Sequence, residues 1–167
     1  EAAAALVHRV MAPTLQHNWP LLSARCGCEV WVKHENHTPV GAFKIRGGIV
    51  LMNGFSSAEA GVITATRGNH GQSIALAARA AGIKATIVVP EGNSTEKNTA
   101  MAALGAKLVV NGRDFDDARE HARALAAEEG LTMLPSFHPL LVQGVASYAL
   151  EFFRAAPDLD VIYVPIG

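Results

Sequence analysis

Charge and cysteine are both scarce in this sequence. Charged residues make up 17% of the 167 positions, and acids nearly balance bases, so the formal net charge is −1. Proteins that bind nucleic acids or anionic membranes usually have a basic surface. This chain lacks the excess of basic residues for one, so neither partner is expected. The two cysteines, Cys26 and Cys28, are separated by one residue. They are too close for a good disulfide and too few for a structural zinc site, so we interpret them as reduced thiols, which suits the cytosol.

Several familiar signatures are absent as well. No apolar run is long enough to span a bilayer, and the alanine-rich start is too short and lacks the cationic lead of a signal peptide. The glycine-rich nucleotide fingerprints do not occur, nor do a His-Glu-x-x-His motif, paired Cys-x-x-Cys motifs or a nucleophile elbow. The sequence therefore predicts neither nucleotide binding nor a metal site nor serine-nucleophile chemistry.

Half of the residues are hydrophobic, and strands and helices alternate regularly from residue 61 onward. The unbroken apolar runs at residues 85–89 and 161–164 are typical of strands buried on both faces. This alternation is typical of a parallel sheet covered by helices on both sides, so we predict a three-layer α/β fold. The predicted helices cover residues 2–10, 43–52, 69–81, 94–104, 114–129 and 140–154; the predicted strands cover residues 29–34, 62–66, 85–89, 107–110 and 131–134.

Three further predictions concern less regular segments. Asn18 is a good N-cap for a short helix with Pro20 near its first turn, and Ser56 or Ser57 is expected to cap a short turn. Residues 160–164 are apolar and β-branched, and they predict a last strand. Because another helix normally follows such a strand, we expect the chain to be part of a larger protein. The alternative is an edge strand, which uncharged apolar residues fit poorly.

The first candidate for chemistry is a lysine set between glycines. Lys44 lies within residues 41–48, where a helix is predicted to begin. The positive end of the helix dipole disfavours a nearby cation, and a lysine that loses its proton easily is suited to Schiff-base chemistry. The alternative is that Lys44 is an ordinary solvated lysine, because lysines are seldom buried. Taken alone, the position favours that alternative.

The second candidate is the segment Thr-Arg-Gly-Asn-His-Gly-Gln at residues 66–72. It joins a predicted strand to an alanine-rich helix, and loops at the carboxyl ends of parallel strands form the ligand face of such folds. Gly68 lets the backbone approach a ligand, and the first amides of the helix attract carboxylate or phosphate. Asn69 can both donate and accept hydrogen bonds. The alternative is that Asn69 only caps the helix and that His70 is a surface side chain.

Together these stretches resemble the serine/threonine dehydratase branch of the fold-type II pyridoxal-phosphate enzymes, in the tryptophan synthase β-like superfamily. The resemblance is carried by residues 33–36, 41–47 and 66–72. Further matches run along nearly the whole chain but cover only the N-terminal half of a family member. The family's phosphate loop would lie beyond Gly167, so the resemblance implies that these residues alone retain the cofactor weakly or not at all.

The resemblance also implies a role for individual residues. Lys44 would bind pyridoxal phosphate covalently and then remove the substrate α-proton, Phe43 would pack beside the cofactor, and Asn69 would hydrogen-bond its 3′-oxygen. Proton loss and β-elimination from serine or threonine, followed by hydrolysis, would give a 2-oxo acid and ammonia. The substrate carboxylate would be held, through backbone amides and the Thr66 hydroxyl, by Thr66, Arg67, Gly68, Asn69 and His70.

Two departures from the family pattern bear on the reaction. Ala42 replaces the usual serine before Phe43, which removes a hydroxyl close to the cofactor. Arg67 stands where relatives carry a small residue and where racemases carry a serine that acts as a second base. Because arginine stays protonated, we expect elimination rather than racemisation. Its planar guanidinium can also bind a second carboxylate, as in a 3-hydroxyaspartate-type substrate; the alternative is that Arg67 faces solvent.

Other readings stay open. A racemase or a β-replacement synthase is compatible with the same cofactor, and a non-catalytic binding or regulatory module is compatible with the same fold. The resemblance implies that residues 1–53 and 143–167 belong to a larger domain and residues 54–142 to a smaller one, with Lys44 and Asn69 facing each other across a cleft. We also expect a small amino-acid substrate, a homo-oligomer when the protein is intact, and a cytoplasmic location.

Overall fold

Helices and strands alternate through most of the chain. A computed structural model describes residues 1–55 and 60–165 of the protein. The strands are β1 (Gln16–Asn18), β2 (Trp31–Lys33), β3 (Val62–Ala65), β4 (Ala85–Val89), β5 (Lys107–Val110) and β6 (Thr132–Met133). The helices are α1 (Ala2–Val7), α2 (Pro20–Cys26), α3 (Lys44–Gly54), α4 (Asn69–Ala81), α5 (Thr95–Ala103), α6 (Phe115–Glu129) and α7 (Pro139–Ala155).

Four of the strands form a parallel sheet in the order β5-β4-β3-β6. Every residue of β3 and β4 is buried, and the apolar run at residues 85–89 had predicted this for β4. The chain adds β4 and β5 on one side of β3 and then returns to place β6 on the other side. The carboxyl end of β3 is therefore the topological switch point, where folds of this kind bind their ligands.

Helices cover both faces of this sheet. On one face, α3 and α4 form the main core, in which Leu51 and Ile74 pack with Ile87 of the sheet. On the other face, α6 packs its alanines against the sheet, where the core consists of Ile63, Ala65, Val88, Ala118, Ala122 and Ala126. The predicted three-layer α/β architecture is confirmed.

Helix α3 lies between two other helices. Its residues from Ile45 to Met52 are all buried, because α4 and α7 pack against it. Glycines permit this close approach. A Cβ atom on Gly144 of α7 would lie 2.7 Å from the Cα of Gly47, and one on Gly48 would lie 2.9 Å from the carbonyl oxygen of Ser73. Backbone contacts on both sides therefore fix the position of the helix that begins with Lys44.

The prediction that Asn18 caps a helix is wrong. Asn18 lies in β1 and pairs with Trp31 of the antiparallel strand β2. Its side-chain amide donates to Glu29 at 2.6 Å and accepts from the hydroxyl of Ser23 at 3.0 Å. Trp19 occupies the cap position of α2, without a capping side-chain bond. Pairing with a distant strand outweighs the local preference of asparagine for a helix start.

Residues 160–164 do not form the predicted last strand. They pair with no strand in the described part of the chain, and the side chains from Val161 to Val164 are between 42% and 93% exposed. A strand is stable only where a neighbour accepts and donates its backbone hydrogen bonds. The predicted turn at Ser56 or Ser57 lies outside the described residues.

Other details agree with the sequence. Cys26 and Cys28 are free and exposed. Asp114 caps α6, since its carboxylate accepts the amides of Asp116 and Asp117 at 2.9 and 3.0 Å. Within residues 1–55 and 60–165, no helix has both the length and the apolar character needed to cross a membrane.

Candidate functional site

Lys44 is the first residue of α3, as predicted, and its backbone is held on two sides. In the preceding turn, the hydroxyl of Thr38 donates to the carbonyl of Ala42 and accepts from its N–H, both at 2.9 Å. Gly41 in the same turn has a φ of +66°, which favours glycine. The carbonyl of Lys44 accepts from the hydroxyl of Ser73 on α4 at 2.6 Å. Lys44 is half-buried, so it is not the freely solvated lysine of the alternative reading.

Phe43 forms an aromatic pair next to this lysine. Its ring lies 6.2 Å from that of Tyr148 on α7, at an interplanar angle of 58°. Both side chains are half-buried. Tyr148 was not predicted as a site residue, because its relation to Phe43 depends on the packing of α7 against α3. The pair places two aromatic rings beside the start of α3.

The segment from Thr66 to His70 joins β3 to α4 at the switch point. Thr66 is buried, and its hydroxyl oxygen accepts the N–H of Gly68 at 3.1 Å. The carbonyl of Gly68 accepts the amides of Gly71 and Gln72 at 2.9 and 3.3 Å. The amides of Asn69 and His70 are the first of α4, and no carbonyl within the helix can accept them. An anion can therefore bind at this helix start, whereas the Gly68 amide is already occupied by Thr66.

Asn69 and Arg67 project from this segment. Asn69 is the first residue of α4, and Gly68 takes the cap position without a capping side-chain bond. The reading of Asn69 as a helix cap is therefore wrong. Both Asn69 and Arg67 are exposed, so the sequence-based alternative that Arg67 faces solvent agrees with the structure. Both side chains are available to a ligand.

His70 is more enclosed than the surface reading supposed. Burial, and then the nearby positive charge of Lys44, lower its pKa from 6.5 to about 4, so the imidazole is neutral at pH 7. Its Nε2 atom is buried and has no hydrogen-bond partner among the described residues. A buried polar atom without a partner is costly and calls for an explanation. A polar ligand bound beside Lys44 would provide the missing partner.

A lysine that the sequence analysis did not select also reaches this segment. Lys97 lies in the first turn of α5, directly after the loop that follows β4. A Cβ atom on Gly68 would lie 2.9 Å from Lys97 Cδ and 3.0 Å from its Nζ. The lysine side chain therefore crosses over Gly68. One local feature pointed to Lys97: the loop before α5 follows the carboxyl end of β4. Because β4 is the parallel neighbour of β3, this loop lies at the same edge of the sheet as the segment after β3.

A buried ionic cluster lies behind Lys44, two residues further along α3. Arg46 is fully buried, and its guanidinium donates to Glu35 at 2.7 and 2.9 Å and to Glu151 at 2.6 and 2.9 Å. It also donates to the hydroxyl of Ser147 at 3.0 Å. Burial opposes the charge on Arg46, but the hydrogen bonds to Glu151 and Glu35 prevail and raise its pKa. Arg46 and its partners are called the Arg46 cluster below.

Glu151 joins this cluster to the N-terminal part of the chain. Lys33 Nζ lies 2.6 Å from one of its oxygens, and His8 Nε2 lies 2.7 Å from the other. Burial alone would raise the pKa of Glu151, but hydrogen bonds from Arg46, His8 and Lys33 outweigh it and lower the pKa to about 2. The sequence analysis did not single out Arg46 or Glu151, although residues 33–36 and 41–47 belong to the stretches that carry the resemblance.

The cavity that the structure shows lies apart from these residues. A cavity of about 420 Å³ lies between the sheet and α6, but none of the predicted site residues lines it. In the described ranges, no three side chains of histidine, cysteine, aspartate or glutamate are grouped to hold a metal ion. The candidate site is therefore defined by Lys44, Phe43 and the segment from Thr66 to His70.

Comparison with known proteins covers almost the whole chain. The model of the family described as "pyridoxal-phosphate dependent enzyme" matches residues 8–167. The biosynthetic L-threonine dehydratase of Haemophilus influenzae is 37% identical over 149 residues, which are 87% of this chain and 29% of the relative. The L-threo-3-hydroxyaspartate ammonia-lyase of Saccharomyces cerevisiae is 37% identical over 150 residues, 88% of this chain and 46% of the relative.

Solved structures agree with these sequence matches. The processed form of threonine deaminase isoform 2 from Solanum lycopersicum superposes with a TM-score of 0.87 at 32% identity. The match covers 95% of this chain and 48% of the tomato protein. The chain thus spans less than half the length of each of these three relatives.

Proposed function

Because the chain belongs to the family of pyridoxal-phosphate-dependent enzymes, as its motifs predicted, we propose that it provides the lysine and the substrate-carboxylate loop of an ammonia-lyase. The substrate is a hydroxy amino acid such as serine or threonine, and the products are a 2-oxo acid and ammonia. One observation carries the proposal. Lys44 begins α3 beside a loop whose His70 imidazole is neutral and enclosed, and its Nε2 has no partner among the residues that the structure describes.

The side chains of this site suit pyridoxal phosphate chemically. Lys44 offers a primary amine to the cofactor aldehyde, and Phe43 offers an aromatic surface to its ring. Asn69 is exposed and can donate to the 3′-oxygen. The unpartnered Nε2 of His70 fits a polar group of a bound molecule. When bound, pyridoxal phosphate supplies an electron sink for the charge that proton loss leaves on the substrate.

The residues of the chain bind the substrate and move its proton. The amides of Asn69 and His70, at the positive end of α4, hold the α-carboxylate. Thr66 holds the Gly68 amide and so keeps the loop in shape. Lys44 Nζ, once unprotonated, takes the proton from Cα. His70 is neutral at pH 7, so it provides a hydrogen-bond partner without a second positive charge beside Lys44.

Arg67 favours elimination over racemisation in this proposal. Racemisation needs a second base on the opposite face of the substrate. Arginine stays protonated at physiological pH and is a poor base. The alternative is a module that binds an amino acid without reacting with it, in which Lys44 would have no covalent role.

We also propose that residues 54–142 form a smaller domain within a larger one. All four strands of the parallel sheet lie between residues 62 and 133. The hairpin of β1 and β2 lies in residues 1–53, and most of α7 lies after residue 142. Lys44 and Asn69 then come from different domains.

The test uses the visible absorption spectrum of the intact gene product after addition of pyridoxal phosphate. We expect the band of the lysine-bound cofactor in the unaltered protein and its loss in Lys44→Ala. Lys84→Ala is the matched control, because Lys84 is exposed at the amino end of β4, away from the loop. Ammonia release from serine and threonine then tests the reaction.

Two outcomes would contradict the proposal. A folded, intact protein that gives no such band would favour the non-catalytic binding module. A band that persists in Lys44→Ala and disappears in Lys84→Ala would assign the cofactor to a different lysine. Circular dichroism of each variant checks that the fold is retained.

A further inference from the structure

Three cationic residues lie close to the carboxyl ends of β3 and β4. Burial, and then the nearby positive charge of Lys44, lower the pKa of His70, so Lys44 belongs to this edge. Arg67 lies in the loop after β3, and Lys97 crosses Gly68 from the loop after β4, within about 3 Å of where a Cβ atom would stand. Because β3 and β4 are neighbouring parallel strands, the two loops share one edge of the sheet. The N-terminal ends of α4 and α5 add positive partial charge to the same edge.

Neither Arg67 nor Lys97 is neutralised by the chain itself. Among residues 1–55 and 60–165, no carboxylate lies within 4.0 Å of either side chain, including those of Glu91 and Glu96 close to Lys97 in sequence. Arg46, by contrast, bonds two carboxylates. Like charges gathered at a ligand edge without counter-charges produce a positive potential, which attracts anions.

A substrate with a single carboxylate leaves these two cations without a function. The helix-start amides of Asn69 and His70 already account for the α-carboxylate. Apart from the amino group, the only polar group that serine and threonine offer beyond it is the uncharged hydroxyl of the side chain. A second carboxylate on the substrate side chain would pair with the planar guanidinium of Arg67 and with the ammonium group of Lys97.

We propose that Arg67 and Lys97 form a subsite for a second carboxylate, so that a hydroxy amino acid of the 3-hydroxyaspartate type is preferred over serine and threonine. The inference rests on the proposed ammonia-lyase function and makes its substrate class specific. Gly68 has a direct part in the subsite. Any side chain at this position would collide with Lys97 and move its ammonium group away from the loop.

The experiment compares two substrates in the intact gene product loaded with pyridoxal phosphate. Ammonia release gives kcat/KM for L-threo-3-hydroxyaspartate and for L-threonine, in the unaltered protein and in Arg67→Gln and Lys97→Met. Each substitution removes a charge-assisted hydrogen bond to the second carboxylate. The ratio of the two kcat/KM values should therefore fall by about tenfold or more in each variant. Arg79→Gln is the matched control, because Arg79 is exposed in the last turn of α4, far from the loop.

A second readout does not require catalysis. Isothermal titration of the same proteins with succinate and with propionate measures the affinity for two carboxylates against one. Succinate should bind more tightly than propionate, and the difference should shrink in Lys97→Met and Arg67→Gln but not in Arg79→Gln. The difference in affinity between succinate and propionate should also decrease as salt is added, because salt screens charges near the surface.

The outcomes separate this inference from the function on which it rests. Turnover of threonine with no preference for hydroxyaspartate, and equal losses on both substrates in the variants, would overturn the subsite and leave the ammonia-lyase intact. Equal affinity for succinate and propionate would likewise overturn it. Succinate selectivity that depends on Arg67 and Lys97 in a protein that turns over neither substrate would support the subsite and overturn the ammonia-lyase.

Discussion

The Arg46 cluster and the loop from Thr66 to His70 are both rich in polar groups, but they satisfy them differently. In the cluster, a fully buried guanidinium meets two carboxylates, and Glu151 also binds Lys33 and His8. In the loop, a buried histidine nitrogen has no partner among the described residues. Polar groups that the chain satisfies by itself build the framework, whereas the unsatisfied group beside a helix start supports the ligand site proposed there.

The largest expected effect comes from breaking the cluster. Arg46→Gln leaves Glu35 without its guanidinium partner and Glu151 with only Lys33 and His8. Loss of one partner from a buried ion pair costs about 3–5 kcal/mol. The free energy of unfolding, measured with urea, should fall by that amount. Arg123→Gln, which removes an exposed ion pair with Glu120, should leave it unchanged within experimental error. Equal effects of the two substitutions would show that the cluster contributes no more than a surface pair.

The second prediction concerns the response of the cluster to acid. The pKa of Glu151 is about 2 in the folded protein against an ordinary value of 4.5. Between pH 4.5 and 2 the folded protein keeps this carboxylate ionised, whereas the unfolded chain protonates it. The contribution of Glu151 to the free energy of unfolding is therefore fully present above pH 4.5 and is lost as the pH falls towards 2. Midpoints of urea unfolding should fall less steeply with acid in Glu151→Gln than in the unaltered protein. The exposed Glu128→Gln should keep the original slope.

The third and smallest expected effect concerns His70 in the loop. Here the folded protein stabilises the neutral form of the side chain, whereas at Glu151 it stabilises the charged form. His70 has a pKa of about 4 in the folded state, lowered from 6.5. The unfolded chain binds a proton at a higher pH than the folded protein does, so stability falls as the pH drops from 6.5 to 4. His70→Gln should flatten the decline of the melting temperature in this window, whereas His121→Gln should not. A decline that survives His70→Gln would show that the loop histidine is not the group that resists protonation.

Much of the fold could be predicted because the deciding signals are local. The alternation of strands and helices from residue 61 onward indicated the parallel sheet, and Asp114 marked the start of α6. Two apolar runs show the limit. Ala85–Val89 is buried as β4 because β3 and β5 flank it, whereas residues 161–164 have nearly the same composition but no neighbouring strand in the described part of the chain. Composition predicts that a segment can form a strand, but the strand forms only where a neighbouring strand is available to share its backbone hydrogen bonds.

The candidate site was predictable to a similar degree. Lys44 and the loop after β3 were found from glycine spacing and from the rule that ligands bind at the carboxyl ends of strands. The enclosure of His70, the reach of Lys97 over Gly68 and the ion pairs of Arg46 were not predictable. Each depends on side chains brought together from distant parts of the chain, such as the 105 positions between Arg46 and Glu151.

The hydrogen bond from Ser73 to the carbonyl of Lys44 has a mechanical consequence. It joins α3, which begins with Lys44, to α4, which begins with Asn69, at a point where Gly48 allows the two backbones to touch. Sliding α4 along α3 would break this 2.6 Å bond and drive a backbone carbonyl against the neighbouring helix. The hydrogen bond and the close approach at Gly48 therefore hold the start of α3 at a fixed distance from the start of α4, so the proposed amine and the proposed anion-binding amides keep a constant separation.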